Sequence, residues 1–160
     1  MLGELEIARN YIEKGIDIEN NIGVPLALSW LYASLSLTYF DLGDHQKALS
    51  LIEEAVQLAE KHYEKGAEGY SRYLLGMILS KTDSSKRDEA KESIFKGIEI
   101  LETRKLRPMY SVGYLCLGEF YADTGQKKKA QENLKKAERM FKEMGMDYWL
   151  AKTDELLKGL

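Results

Sequence analysis

The chain has 160 residues, a formal net charge of −3, and 31% charged and 44% hydrophobic residues. That balance describes an ordinary folded chain, excluding a disordered segment and the strongly basic surface of a nucleic-acid binder. The single cysteine, Cys116, rules out an internal disulfide and fits a reducing compartment, so a cytoplasmic location is expected.

The first predicted element is a helix over 4–20. Its charges at Glu4, Glu6, Arg9, Glu13, Lys14, Asp17 and Glu19 are incompatible with a signal peptide. A second helix is predicted over 25–42. Val24 to Phe40 carries no charge but is shorter than the ~20 apolar residues of a membrane span. With Ser29, Ser34, Ser36 and Thr38 it reads as a buried helix, and no membrane partner is expected. Further helices are predicted over 45–64, 67–81, 86–104, 108–123, 127–144 and 147–158. Pro25 and Pro108 suit the first turn of two of them, where no N–H partner is needed. Gly43 and Gly125 suit left-handed helix ends. Asp83, Ser84 and Ser85 supply turn and capping chemistry for a longer connection at 81–86.

The predicted helices repeat. Ala8, Ala48, Ala90 and Ala130 are 40, 42 and 40 residues apart. Four residues after each stands Ile12, Ile52, Ile94 or Leu134, and three later Gly15, Ala55, Gly97 or Ala137. Spacings of four and three put each trio on one helical face, where the small residues let a neighbouring helix approach closely. A period of this size signals a solenoid. Upstream lies a second pattern: Tyr32, Leu35, Ser36, Tyr39, then Arg72, Leu75, Gly76, Leu79, then Tyr114, Leu117, Gly118, Tyr121.

The string Tyr114-x-x-Leu117-Gly118-x-x-Tyr121, followed by Gly125, Ala130, Leu134 and Ala137, resembles the tetratricopeptide repeat. The set from Tyr32 to Ala55 matches nearly as well; the third copy departs at Arg72, Leu79 and its longer turn. The period exceeds the usual ~34 residues, which is similar to the long-period arrays of kinesin light chains and bacterial signalling proteins. The ending from Met140 to Leu157 is similar to the tails of arrays on bacterial signalling ATPases and adenylate cyclases.

The resemblance implies an all-α fold of antiparallel helix hairpins stacked in a right-handed superhelix. The expected layout is one array over 1–160: a half repeat at 1–24, repeats at 25–65, 66–106 and 107–146, and a capping helix at 147–160. The missing first helix at the start fits either the C-terminal piece of a longer protein or a natural short form. In both cases the face around Leu5, Ala8, Ile12 and Ile16 is expected to lack its neighbour, so self-association through residues 5–16 is expected.

Candidate chemistry is sparse. His45 and His62, seventeen residues apart, face different directions and have no ligand-spaced acid or cysteine, so no metal is expected. Cys116 lies in the apolar run Tyr114-Leu115-Cys116-Leu117 and reads as core. Glu53/Glu54 and Asp88/Glu89 read as solvated charge, because nothing in the sequence supplies the cleft and opposed environments that catalytic carboxylates need. Lys127, Lys128, Lys129, Lys135, Lys136, Arg139 and Lys142 make one repeat basic, but Glu132, Glu138 and Glu143 interleave with them. Catalysis, a cofactor and a nucleic-acid partner are therefore not expected.

The first helices of the hairpins carry a second apolar row. Packing within the repeat explains Tyr32, Leu35 and Tyr39, yet Trp30, Ala33 and Leu37 lie on the opposite face, as do Tyr70, Tyr73 and Met77, then Leu115 with Glu119. A helix apolar all round is either fully buried or lends one face to a partner. In tetratricopeptide arrays that face lines the concave groove. The row is thus expected to hold a protein partner, as an amphipathic helix or an extended peptide, in a signalling or scaffold role. The competing expectation is that curvature or the terminal helix covers it. A second functional expectation is a regulatory array that dimerises or docks on a linked catalytic domain.

Overall fold

The computed structural model describes residues 2–23 and 27–160. Eight α-helices follow one another: α1 (Leu2–Ile22), α2 (Leu28–Asp41), α3 (His45–Lys61), α4 (Lys65–Thr82), α5 (Arg87–Thr103), α6 (Arg107–Asp123), α7 (Lys127–Met144) and α8 (Asp147–Lys158). A 3-10 turn at Ser84–Lys86 precedes α5, and the described residues contain no strand. Every expected helix is present within a few residues of its predicted ends. Pro25, expected to open α2, lies outside the described residues; Pro108 does sit in the first turn of α6. The longer connection is there too, with Asp83 accepting from the Ser85 N–H at 2.8 Å and hydroxyl at 2.6 Å.

Several helix ends share one device. After α2, the Gly43 N–H reaches the Phe40 carbonyl and the Asp44 N–H reaches that of Tyr39, closing the end through a left-handed residue at φ 85°. Gly125 does the same after α6 at φ 74°. After α3 and α5 the same bonding is made by Tyr63 and Lys105 at φ 59° and 58°. Those two ends adopt the left-handed conformation without a glycine to favour it.

Successive helices pack as antiparallel neighbours. In addition α2 lies against α4, α4 against α6 and α6 against α8, whereas the backbones of the second helices α3, α5 and α7 stay further apart. The stack is an all-α repeat solenoid whose inner side is formed by the first helices. Three of the four predicted trios form its core: Ala48, Ile52 and Ala55, then Ala90, Ile94 and Gly97, then Ala130, Leu134 and Ala137 are all buried, while Ala8, Ile12 and Gly15 of the first are half-buried. At the crossing of α2 and α3 the Ser36 hydroxyl donates to the Ala48 carbonyl at 2.6 Å. Gly76 and Gly118 hold the same position in the next two hairpins. A larger residue at the crossing has nowhere to go. Ala130→Leu should therefore lower stability by about 1–3 kcal/mol, read as a urea midpoint; an unchanged midpoint would contradict this packing.

One expectation is corrected at the start of the array. The face of α1 around Ile12 and Ile16 is not left open: Ile16 is buried with Leu28, Leu35 and Leu51, and Ile12 packs against the same cluster. At the other end α8 packs on α7 and α6. Trp149 stacks on Phe141 with centroids 6.3 Å apart, and Leu150, Leu156 and Leu157 join the cluster of Leu134 and Ala137.

Candidate groove on the inner helices

Curvature around α2, α4, α6 and α8 encloses a cavity of about 340 Å³. Its apolar surface comes from the row one helical turn apart on each first helix. Leu37 stands on α2, Tyr70, Tyr73 and Met77 on α4, and Val112 and Leu115 on α6. Tyr148 and Trp149 of α8 form the remaining wall. Tyr70 and Tyr73 meet edge-on with centroids 5.3 Å apart, which fixes both rings.

Six of the eight predicted site residues converge here: Leu37, Tyr70, Tyr73, Met77, Leu115 and Glu119. Two do not line the cavity. Ala33 is fully buried in the helix packing, and Trp30 lies beside it, its ring 5.2 Å from that of Tyr70. Tyr73 and Leu115 are buried and form the floor, while Leu37, Tyr70, Met77 and Glu119 are partly exposed. The two competing expectations thus divide the row between them, the deeper residues covered and the outer ones facing the cavity.

Phe40, Leu74 and Cys116, which the sequence pattern did not place here, add to the apolar part, and four charged side chains complete the lining: Asp41, Lys81, Glu119 and Lys152. Lys81 Nζ lies 2.6 Å from Asp123 Oδ2 and 3.9 Å from Glu119 Oε1. Burial works to lower the Lys81 pKa, but the Asp123 hydrogen bond and the Glu119 charge outweigh it and hold the ammonium above its ordinary value. Burial raises the Asp41 pKa, partly offset by the Lys152 charge. Glu119, the one charged member of the predicted row, faces Lys81. Asp41 and Lys81 each fall four residues beyond a predicted lining residue, Leu37 and Met77, so the row extends one turn further than its apolar part. Trp149 and Lys152 belong to the terminal helix α8; packing over the whole array brings them to the site, which no local pattern records.

Nothing at the cavity resembles a reaction centre. Burial pushes the Cys116 thiol up to about 12, as suits a core side chain. His45 is exposed and stacks on Phe40 at 5.1 Å. Among the described residues no group of His, Cys, Asp or Glu is placed to hold a metal ion. No helix among them is long and apolar enough to cross a membrane. Glu53, Glu54, Asp88 and Glu89 are exposed. On the basic repeat, Lys136 lies 3.6 Å from the centre of the Tyr114 ring and pairs with Glu102, so part of that charge is used within the fold.

Residues 29–66 match a family profile described as tetratricopeptide repeat, and residues 113–143 match a second profile of the same description. No curated protein matches the chain.

Proposed function

We propose, from the premise that the chain belongs to the tetratricopeptide repeat family, that it is a non-catalytic interaction module binding a protein partner through the inner cavity. The module is the whole chain, read as a half repeat at 1–24, repeats at 25–65, 66–106 and 107–146, and a cap at 147–160. It serves as the scaffold part of a larger cytoplasmic signalling or regulatory protein. The observation that supports groove binding is the cavity itself: an aromatic and aliphatic hollow of about 340 Å³ with matched charges among its lining residues.

Its size favours one form of partner. The volume is at the small end of the roughly 300–1,000 Å³ of small-ligand pockets, whereas a helix with side chains is about 10–12 Å across. An extended segment placing one or two apolar side chains between Leu37, Tyr70 and Met77 fits; a whole helix does not. Peptides selected from a random display library against the full chain test this. Met77→Glu should weaken the selected peptides at least about tenfold, equivalent to ~1.4 kcal/mol, and Lys135→Ala on the outer face should leave them unchanged. Met77 is the better probe because truncating the buried Tyr73 also disturbs the core. Loss of binding in Lys135→Ala but not in Met77→Glu would place recognition on the basic outer surface instead.

A second reading is regulatory self-association, or docking on a linked catalytic domain. Its support is α1, which exposes Leu2, Ile7, Tyr11, Ile18 and Ile22.

A further inference from the structure

The helix α1 bears two apolar faces. One, around Ile12 and Ile16, is spent on α2. The other consists of Ile7, Tyr11, Ile18 and Ile22, which are 57%, 72%, 58% and 66% exposed. At 100° per residue these four fall within a stripe roughly 60° wide, about a third of a turn from Ile12 and Ile16. Four large apolar side chains in line on one helix are more than the scattered single hydrophobics of an ordinary surface.

The internal register identifies this face as a packing face. Forty residues on, Tyr11 and Ile18 correspond to Leu51 and Leu58 of α3, which pack in the cluster of Ile16, Leu28 and Leu35. On α3 the ends of the stripe are polar, Lys47 and His62; on α1 they are Ile7 and Ile22. The stripe of α1 is thus longer and more apolar than its covered counterpart.

Its spacing specifies the occupant. The gaps are four, seven and four residues, so the stripe reads the same in both directions. Two copies of α1 laid antiparallel about a two-fold axis between residues 14 and 15 place Ile7 opposite Ile22 and Tyr11 opposite Ile18, leaving no apolar member unmatched. An isologous contact requires such self-complementarity. The exposed Lys14 and Asp17 lie toward the same flank, so the two-fold also brings each copy's Lys14 toward the other's Asp17. We infer that the Ile7, Tyr11, Ile18 and Ile22 face of α1 docks on the same face of a second copy of this chain, antiparallel, as a closed dimer. This rests on the self-association reading and narrows it to one face and one symmetry.

The test uses the full chain. Sedimentation should show mass rising with concentration to two chains and no further, and Ile18→Glu should move the midpoint concentration at least about tenfold higher. Ile12→Glu is not a substitute, because Ile12 belongs to the packing on α2. Geometry is read by oxidative cross-linking, for which the buried Cys116 does not compete. A mixture of Tyr11→Cys and Ile18→Cys chains should form a disulfide between the two variants. Either variant alone should not, since its cysteines would be about 10 Å apart along the axis, beyond the reach of a disulfide. Association that survives Ile18→Glu, or homodimer cross-links in place of the mixed one, overturns this face or this symmetry while leaving self-association standing. A wild type that stays monomeric at high concentration overturns both.

Discussion

Replacing Arg72 by Leu should destabilise the chain by about 3 kcal/mol at neutral pH. Glu68 is only 3% exposed, and its carboxylate takes Nε of Arg72 at 3.0 Å and Nζ of Lys65 at 2.6 Å. Arg72 itself is mostly buried and reaches on to Glu60 of α3, tying the two helices together. Removing one partner of a buried pair costs about 3–5 kcal/mol, because the other charge stays buried without compensation. The lower end applies, since Lys65 remains. Burial alone would raise the Glu68 pKa, but the hydrogen bonds and charges of Lys65 and Arg72 bring it below the ordinary value. A depressed carboxylate contributes stability that is present above its unfolded pKa, near 4.3, and is lost as pH falls through the folded one. The difference between wild type and Arg72→Leu should therefore shrink as pH drops below about 4. Urea unfolding at pH 7 and pH 3 reads both effects, and Glu68→Leu/Arg72→Leu should recover most of the loss. A variant as stable as wild type at pH 7 would show that the network contributes nothing.

This network was not legible in the sequence, where Arg72 counted only as a departure from the aromatic expected at its position. Its partner Glu60 is twelve residues away, across the turn to α3, and the i, i+4 spacing from Glu68 to Arg72 looks like any surface pair. What separates it from a surface pair is burial, which depends on how α3 and α4 pack. The array itself was legible because each packing position recurs: small residues at Ala48, Ala90 and Ala130 record helix crossings whatever lies between them. The cavity was legible in its apolar part for the same reason, through Leu37, Met77 and Leu115. Asp41, Lys81 and Lys152 were missed because polar residues on exposed helix turns carry no periodic signal, and α8 reaches the site only through the curvature of three hairpins.

Position 97 provides the sharper test of how closely these helices approach. Gly15, Ala55, Gly97 and Ala137 hold equivalent places in the four second helices, so alanine is plainly tolerated in two of them. On α5 it should not be. A Cβ on Gly97 would stand 2.6 Å from the Gly69 carbonyl oxygen and 2.7 Å from the Tyr73 nitrogen, both backbone atoms of α4. Backbone cannot swing aside as a side chain does, so α4 and α5 would have to move apart along their whole contact. Helix propensity favours alanine over glycine by about 1 kcal/mol; the overpacking opposes and exceeds it, for a net loss expected at about 2–3 kcal/mol. Gly15→Ala is the matched comparison, because there the new Cβ meets only Leu31 side-chain carbons at 3.6 Å, an ordinary contact. That variant should be neutral or more stable, by up to about 1 kcal/mol. Because Tyr73 also forms the cavity floor, Gly97→Ala should weaken peptides selected on the wild-type cavity even where the chain remains folded. Equal urea midpoints for the two glycine variants would mean that α4 and α5 do not pack backbone to backbone, and the close hairpin that sets the cavity floor would have to be abandoned.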